Sequence, residues 1–164
     1  MNWEDAIKNY NSHIKYVDRK ANQTIENYLN DLKHYQNYFI EKKVELDEID
    51  TKMINQYLQE LNDRCSNATV LRAKTSIISF HKFLSQYYKL KVNPASSIQK
   101  IKKIQRLPKT INLNAINIIL EENHSEHEKF HIAMFDVLYS CGLRVSELVN
   151  LNINQLFLEQ GYIR

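Results

Sequence analysis

One stretch of the chain carries basic and hydroxyl side chains at helical spacing: Arg72, Lys74, Thr75, Ser76, Ser79, Lys82 and Gln86. Between them Val70, Ala73, Ile77, Phe80, Leu84 and Tyr87 recur every three or four residues and form an apolar stripe. The polar residues therefore belong to the opposite face. Such a face could enter a DNA major groove and donate hydrogen bonds to phosphates. On these residues alone a solvated helix face is the simpler reading. A second basic cluster, Lys100, Lys102, Lys103, Arg106 and Lys109, crowds around Pro108. It could follow a phosphate backbone, or be a solvated tether, and the two are compatible.

A third group is Arg144, Ser146 and Glu147, just after Gly142. Arg144 opens a short apolar helix, and Glu147 lies three residues on. The Glu147 carboxylate could orient Arg144, or simply favour the positive end of the helix dipole. Ser146 reads as a local helix cap, since no His or Asp at defined spacing would make it a nucleophile. His124, His127 and His131 could share a helix face, but no acidic or Cys partner completes a metal site. Two cysteines cannot build a disulfide framework. Cys65 and Cys141 read as reduced residues, Cys141 packed beside Gly142.

The elements that must carry these residues are helices. With 2 Gly and 2 Pro in 164 residues, the turn-rich sandwiches and barrels are excluded. Hydrophobic residues at 43% and charged residues at 25% place the chain among folded domains rather than disordered ones. A net charge of +3 leaves the choice of partner to how the charge is distributed. No apolar run nears the ~20 residues that span a bilayer, and the N-terminus lacks a secretory pattern, so a cytoplasmic protein is expected.

Four amphipathic segments come first. One runs from Asn2 to Asp18, capped by Asn2, with Trp3, Ala6, Ile7, Tyr10, Ile14 and Val17 on its stripe. The next runs from Gln23 to Lys42, capped by Asn22, with Ile25, Tyr28, Leu29, Leu32, Tyr35 and Phe39 inward. A third runs from Thr51 to Asn62, capped by Asp50, and a fourth from Ala68 to Tyr88, capped by Asn67. Val92-Asn93-Pro94 stops the fourth. Beyond the basic stretch, a helix after Asn112 is followed by a longer one from Ser125 to Cys141. In that longer helix Phe130, Ala133, Met134, Val137 and Leu138 face inward. A short helix over Val145 to Val149 and a hairpin turning at Glu159 to Gly161 complete the chain.

Cys141-Gly142-Leu143-Arg144-Val145-Ser146-Glu147-Leu148, after Leu138-Tyr139-Ser140, resembles the first active-site motif of the tyrosine site-specific recombinases, especially the Xer-type enzymes. Leu158-Glu159-Gln160-Gly161-Tyr162-Ile163 resembles that family's first hairpin. Upstream, Thr24, Tyr28, Asp31, Leu32 and Phe39 fit its T-x-x-x-Y-x-x-D-L…F helix. Asn93-Pro94 fits its helix break and Leu107-Pro108-Lys109 its linker. Two positions depart: Ile78 stands where an arginine is frequent, and Ala21-Asn22 where a Ser-Pro start is common.

The resemblance implies a mainly α chain: a four-helix SAM-like core-binding domain at 1–92, a basic linker at 93–110, and the helical start and first β-hairpin of a catalytic domain at 111–164. It implies that Arg144 is one of two arginines clamping the scissile phosphate, a task suited to a planar, permanently charged fork. It implies DNA contact by Thr24, Arg72, Lys74, Ser76, Ser79, Lys82 and the basic stretch Lys100, Lys102, Lys103, Arg106 and Lys109. In the family a tyrosine attacks the phosphodiester to give a 3′-phosphotyrosine link, without ATP, metal or other cofactor. The expected partners are double-stranded DNA and three further subunits, identical or paralogous, in a tetramer. No membrane or small-molecule substrate is expected. The family's remaining site residues would lie beyond residue 164, so the second domain is expected to be incomplete and this chain alone to bind DNA without cutting it. A non-catalytic regulatory protein, or a helical protein-interaction module with no affinity for DNA, is the alternative.

Overall fold

A computed structural model describes residues 2–88, 92–102, 110–121 and 125–164. The chain divides into two compact units, Met1–Arg106 and Leu107–Arg164.

The first unit holds four helices: α1 (Trp3–Tyr16), α2 (Asn22–Glu41), α3 (Thr51–Arg64) and α4 (Asn67–Tyr87). Each exists because a stripe of apolar side chains at 3.6-residue spacing can be buried against its neighbours. Tyr10, Ile14, Leu32, Tyr35, Phe39, Ile54, Ile77, Phe80 and Leu84 are the centre of that core. Aromatic rings interlock through it. Trp3 lies edge-on to Tyr35 at 5.8 Å, and Tyr10 edge-on to Phe80 at 5.3 Å. Asp50 caps α3 by accepting from the Met53 N–H at 2.8 Å. Two caps sit one residue earlier than the sequence suggests. Ala21, with no side-chain bond, precedes α2, and Ser66 caps α4 by accepting from the Thr69 N–H.

The segment after α4 is no free tether where it is described. Ala95 is buried, and Ile98 and Ile101 pack against the core. Thr51 Oγ1 donates to the Pro94 carbonyl at 2.7 Å, and the Gln99 N–H donates to Asn55 Oδ1 at 3.1 Å. Asn67 Nδ2 donates to the Lys102 carbonyl. Residues 95–102 thus belong with the first unit, because apolar side chains spaced three apart give them something to bury. Lys103, Arg106 and Lys109 lie outside the described residues, as does His124.

The second unit contains α5 (Leu113–Glu121), α6 (Glu126–Cys141), α7 (Val145–Val149), a 3-10 turn at Ile153–Gln155, and an antiparallel pair β1 (Leu156–Phe157) and β2 (Tyr162–Ile163). Ser125 and Glu128 form a capping box ahead of α6. Gly142 ends α6 at φ 63°, a left-handed conformation that costs glycine little. Among the described residues of this unit only Ile116 is buried. The expected inward positions Phe130 and Ala133 are exposed, Phe130 at 68%, and so is Cys141. Amphipathic spacing marks a face that can be covered; among the described residues this face is left exposed at Phe130 and Ala133.

Candidate nucleic-acid interface

The polar side of α4 presents Arg72, Thr75, Ser79, Lys82 and Gln86, which follow one another at three- and four-residue steps down the helix. Thr75, Lys82 and Gln86 are exposed, while Arg72 and Ser79 are half-buried. Lys82 and Ser79 line a cleft of about 380 Å³ with His13, Lys20 and Gln86. Lys20 comes from the α1–α2 turn, where Arg19 adopts a positive φ of 50°. Neither Arg19 nor Lys20 stands out in the sequence, because both lie between the helical stripes. Only the fold brings Lys20 beside α4. Asp18, in the same turn, pairs with Lys20 and His13.

Other expected contact residues have different surroundings. Ser76 is not on the exposed face. It is fully buried, and its one hydroxyl proton is shared between the Ala73 carbonyl at 2.9 Å and Asp31 Oδ2 at 3.2 Å. Position 76 lies at the margin of the polar arc, and the close approach of α2 covers it. Arg72 Nε and Nη2 donate to the two carboxylate oxygens of Asp31 at 3.1 and 2.9 Å. Lys74 turns to the segment after α4, donating to the Gln99 carbonyl at 2.6 Å. Thr24 is half-buried on the side of α2 that also carries Asp31, seven residues on. Lys100 and Lys102 are exposed.

In the second unit, Arg144 stands at the residue preceding α7, with an extended backbone and a side chain 82% exposed. Its N–H donates to Glu147 Oε2 at 2.7 Å, and its guanidinium Nη1 donates to Glu147 Oε1 at 2.8 Å. Both oxygens of one carboxylate therefore hold Arg144, backbone and side chain together. The backbone N–H and then the guanidinium push the Glu147 carboxyl below its ordinary value. Ser146 leaves its carbonyl to Asn150. Among the described residues, no three His, Cys, Asp or Glu side chains converge as metal ligands, and no helix is long and apolar enough to cross a membrane.

Residues 7–87, the span of the four-helix bundle, match the phage integrase N-terminal SAM-like domain. Over nearly its whole length the chain is similar to the Xer recombinases: 31% identical over 165 residues to tyrosine recombinase XerD of Oceanobacillus iheyensis, covering 98% of this chain and 56% of that protein. The chain belongs to the tyrosine recombinase family. This family member is also 30% identical over 168 residues to tyrosine recombinase XerC of Thermodesulfovibrio yellowstonii, covering 99% of this chain and 54% of the relative. A tyrosine recombinase of Pseudothermotoga lettingae is 28% identical over 164 residues, with 98% and 57% covered. The chain spans about half the length of the curated relatives it matches. The family thus accounts for the mainly helical fold and the SAM-like bundle.

Proposed function

We propose that this tyrosine recombinase chain grips duplex DNA through the first unit, with α4 presented to the groove and phosphates. The observation that carries the reading is the stripe of Arg72, Thr75, Ser79, Lys82 and Gln86 on a helix of the SAM-like bundle. Lys82 supplies an exposed cation, Arg72 one held by Asp31, and Thr75, Ser79 and Gln86 neutral donors suited to phosphate oxygens or base edges. Lys20 extends the positive field beside Lys82. Lys100 and Lys102 add exposed charge on the segment strapped to α3 and α4. Ser76 plays no direct part, being buried, and Lys74 already holds the Gln99 carbonyl.

Arg144 is proposed to clamp the scissile phosphate in the intact recombinase. Its planar fork can give two N–H bonds to one phosphate and remains charged at every working pH. Removing one preorganised donor of this kind costs about 10²–10³ in rate. Glu147 would hold the arginine ready for that contact. Strand exchange on a tetramer is proposed for the intact protein, through a tyrosine nucleophile supplied with the rest of the catalytic domain. The present chain is proposed to bind DNA and leave it uncut.

The test is a fluorescence-anisotropy titration of the full chain against a labelled duplex of ~30 bp at several salt concentrations. Each neutralised phosphate contributes about −0.9 to the slope of log K against log salt. A slope of several units is expected, falling by about one on Lys82→Ala. Absence of binding at low salt would refute the reading and favour a protein-interaction module. Incubation with supercoiled plasmid should give no nicked or relaxed product.

A further inference from the structure

Asp31 is the one buried acidic side chain among the described residues, 4% exposed on α2. A carboxylate out of water is costly unless its oxygens are satisfied. Here both are. Arg72 donates Nη2 to Oδ1 at 2.9 Å and Nε to Oδ2 at 3.1 Å, and Ser76 Oγ reaches Oδ2 at 3.2 Å. The arginine pairs fork to fork, the most directional arrangement available to it. Ser76 is itself anchored to the Ala73 carbonyl at 2.9 Å.

The pair is asymmetric. Asp31 is sealed, whereas the Arg72 side chain stays 40% exposed. A guanidinium has more N–H donors than the two given to Asp31. Those left over remain on a side chain whose rotamer is already set from beneath. An unrestrained arginine would lose its rotamer freedom on meeting a phosphate; Arg72 has lost it beforehand.

We infer that Asp31 is a positioning residue for DNA binding, holding Arg72 as a fixed donor aimed at a backbone phosphate. The role rests on the DNA-binding reading above. It makes a prediction opposite in sign to simple electrostatics. Asp31→Asn raises the net charge of +3 by one, which by long-range attraction alone would tighten binding to DNA. Loss of positioning would weaken it instead.

The experiment is the same anisotropy titration on the full chain, with Asp31→Asn, Arg72→Ala, their double variant and Ser76→Ala, at a temperature where circular dichroism shows each folded. Asp31→Asn is expected to weaken binding on the order of fivefold, with the salt slope smaller by about 0.9 as one phosphate contact is lost. In the Arg72→Ala background, Asp31→Asn should weaken binding no further. Equal or tighter binding by Asp31→Asn at unchanged slope would overturn the positioning role. So would an equal loss in both backgrounds, which is what a merely structural α2–α4 rivet gives. If Asp31→Asn does not fold, Ser76→Ala decides: it keeps the ion pair but removes the second contact to Asp31 Oδ2, leaving that oxygen to Arg72 Nε alone, and a weakening of about twofold is expected, unchanged affinity refuting the role. Wild-type chain that shows no salt-dependent binding would overturn the DNA reading itself. Normal wild-type binding with unaffected variants would overturn only Asp31.

Discussion

His81 lies wholly inside the first unit, its Nε2 paired with the Tyr35 hydroxyl at 2.9 Å and its Nδ1 without a partner among the described residues. Burial pulls its pKa from 6.5 down to about 4, so the folded chain holds it neutral. The unfolded chain takes up a proton near pH 6.5 and the fold resists until about 4. Stability is therefore fully present above pH 6.5 and declines as pH falls through that window, by about 3 kcal/mol in all. Urea unfolding followed by the fluorescence of Trp3, the single tryptophan, should show this, and His81→Phe should flatten the decline between pH 6.5 and 4.5. A wild-type stability constant over that range would refute the assignment. At Arg144, NMR titration should place the Glu147 carboxyl below its ordinary midpoint. Arg144→Ala should return it only part-way, because the backbone N–H is the larger cause and survives the substitution. A complete return would show that the guanidinium alone holds it. The ion-pair spacing of these two residues is visible in the sequence; that one carboxylate also takes the backbone N–H is a matter of the turn geometry after Gly142.

At the scale of elements, periodicity places the seven α-helices of the described residues, and the caps are where it slips. Ser66 and Asn67 are both good capping residues, so local sequence leaves two starting points one residue apart at α4, whereas at α2 it favours Asn22 and the helix nevertheless starts after Ala21. Packing of the helix against its neighbours chooses between them. Asp50→Ala and Ser66→Ala should each cost about 1 kcal/mol of stability in urea unfolding. Asn22→Ala should cost close to nothing, since Asn22 is already inside α2. A loss at Asn22 matching that at Asp50 would return the cap to Asn22. The hairpin was legible for a different reason. Gly161 takes φ 68°, and Phe157 stacks on Tyr162 at 4.5 Å across the pair Phe157↔Tyr162. A turn glycine between two aromatic strands is a strong local signal.

Over the whole molecule the two units differ in how much they bury. Phe80 and Phe130 each sit on an apolar helical stripe, yet Phe80 is buried and Phe130 is 68% exposed. Phe80→Ala should cost about 3–5 kcal/mol and Phe130→Ala close to nothing, both read by urea unfolding of the first or second unit's helices by hydrogen exchange and circular dichroism. A large loss at Phe130 would mean that its ring is covered in solution. What the sequence by itself determined is local and repetitive: helices, their apolar faces, the basic stripe of α4, and the Gly142–Glu147 motif that carries the family resemblance. Each depends on side chains within a turn or two of one another. The tertiary structure alone decided that Ser76 is buried, that Arg72 is spoken for by Asp31, that Lys20 and Lys82 line one cleft, and that residues 95–102 pack on the bundle. Those outcomes join side chains far apart in the chain, 45 positions in the case of Ser76 and Asp31. Helical spacing says which side chains share a face, but only the packing of α2 against α4 determines which of them meet.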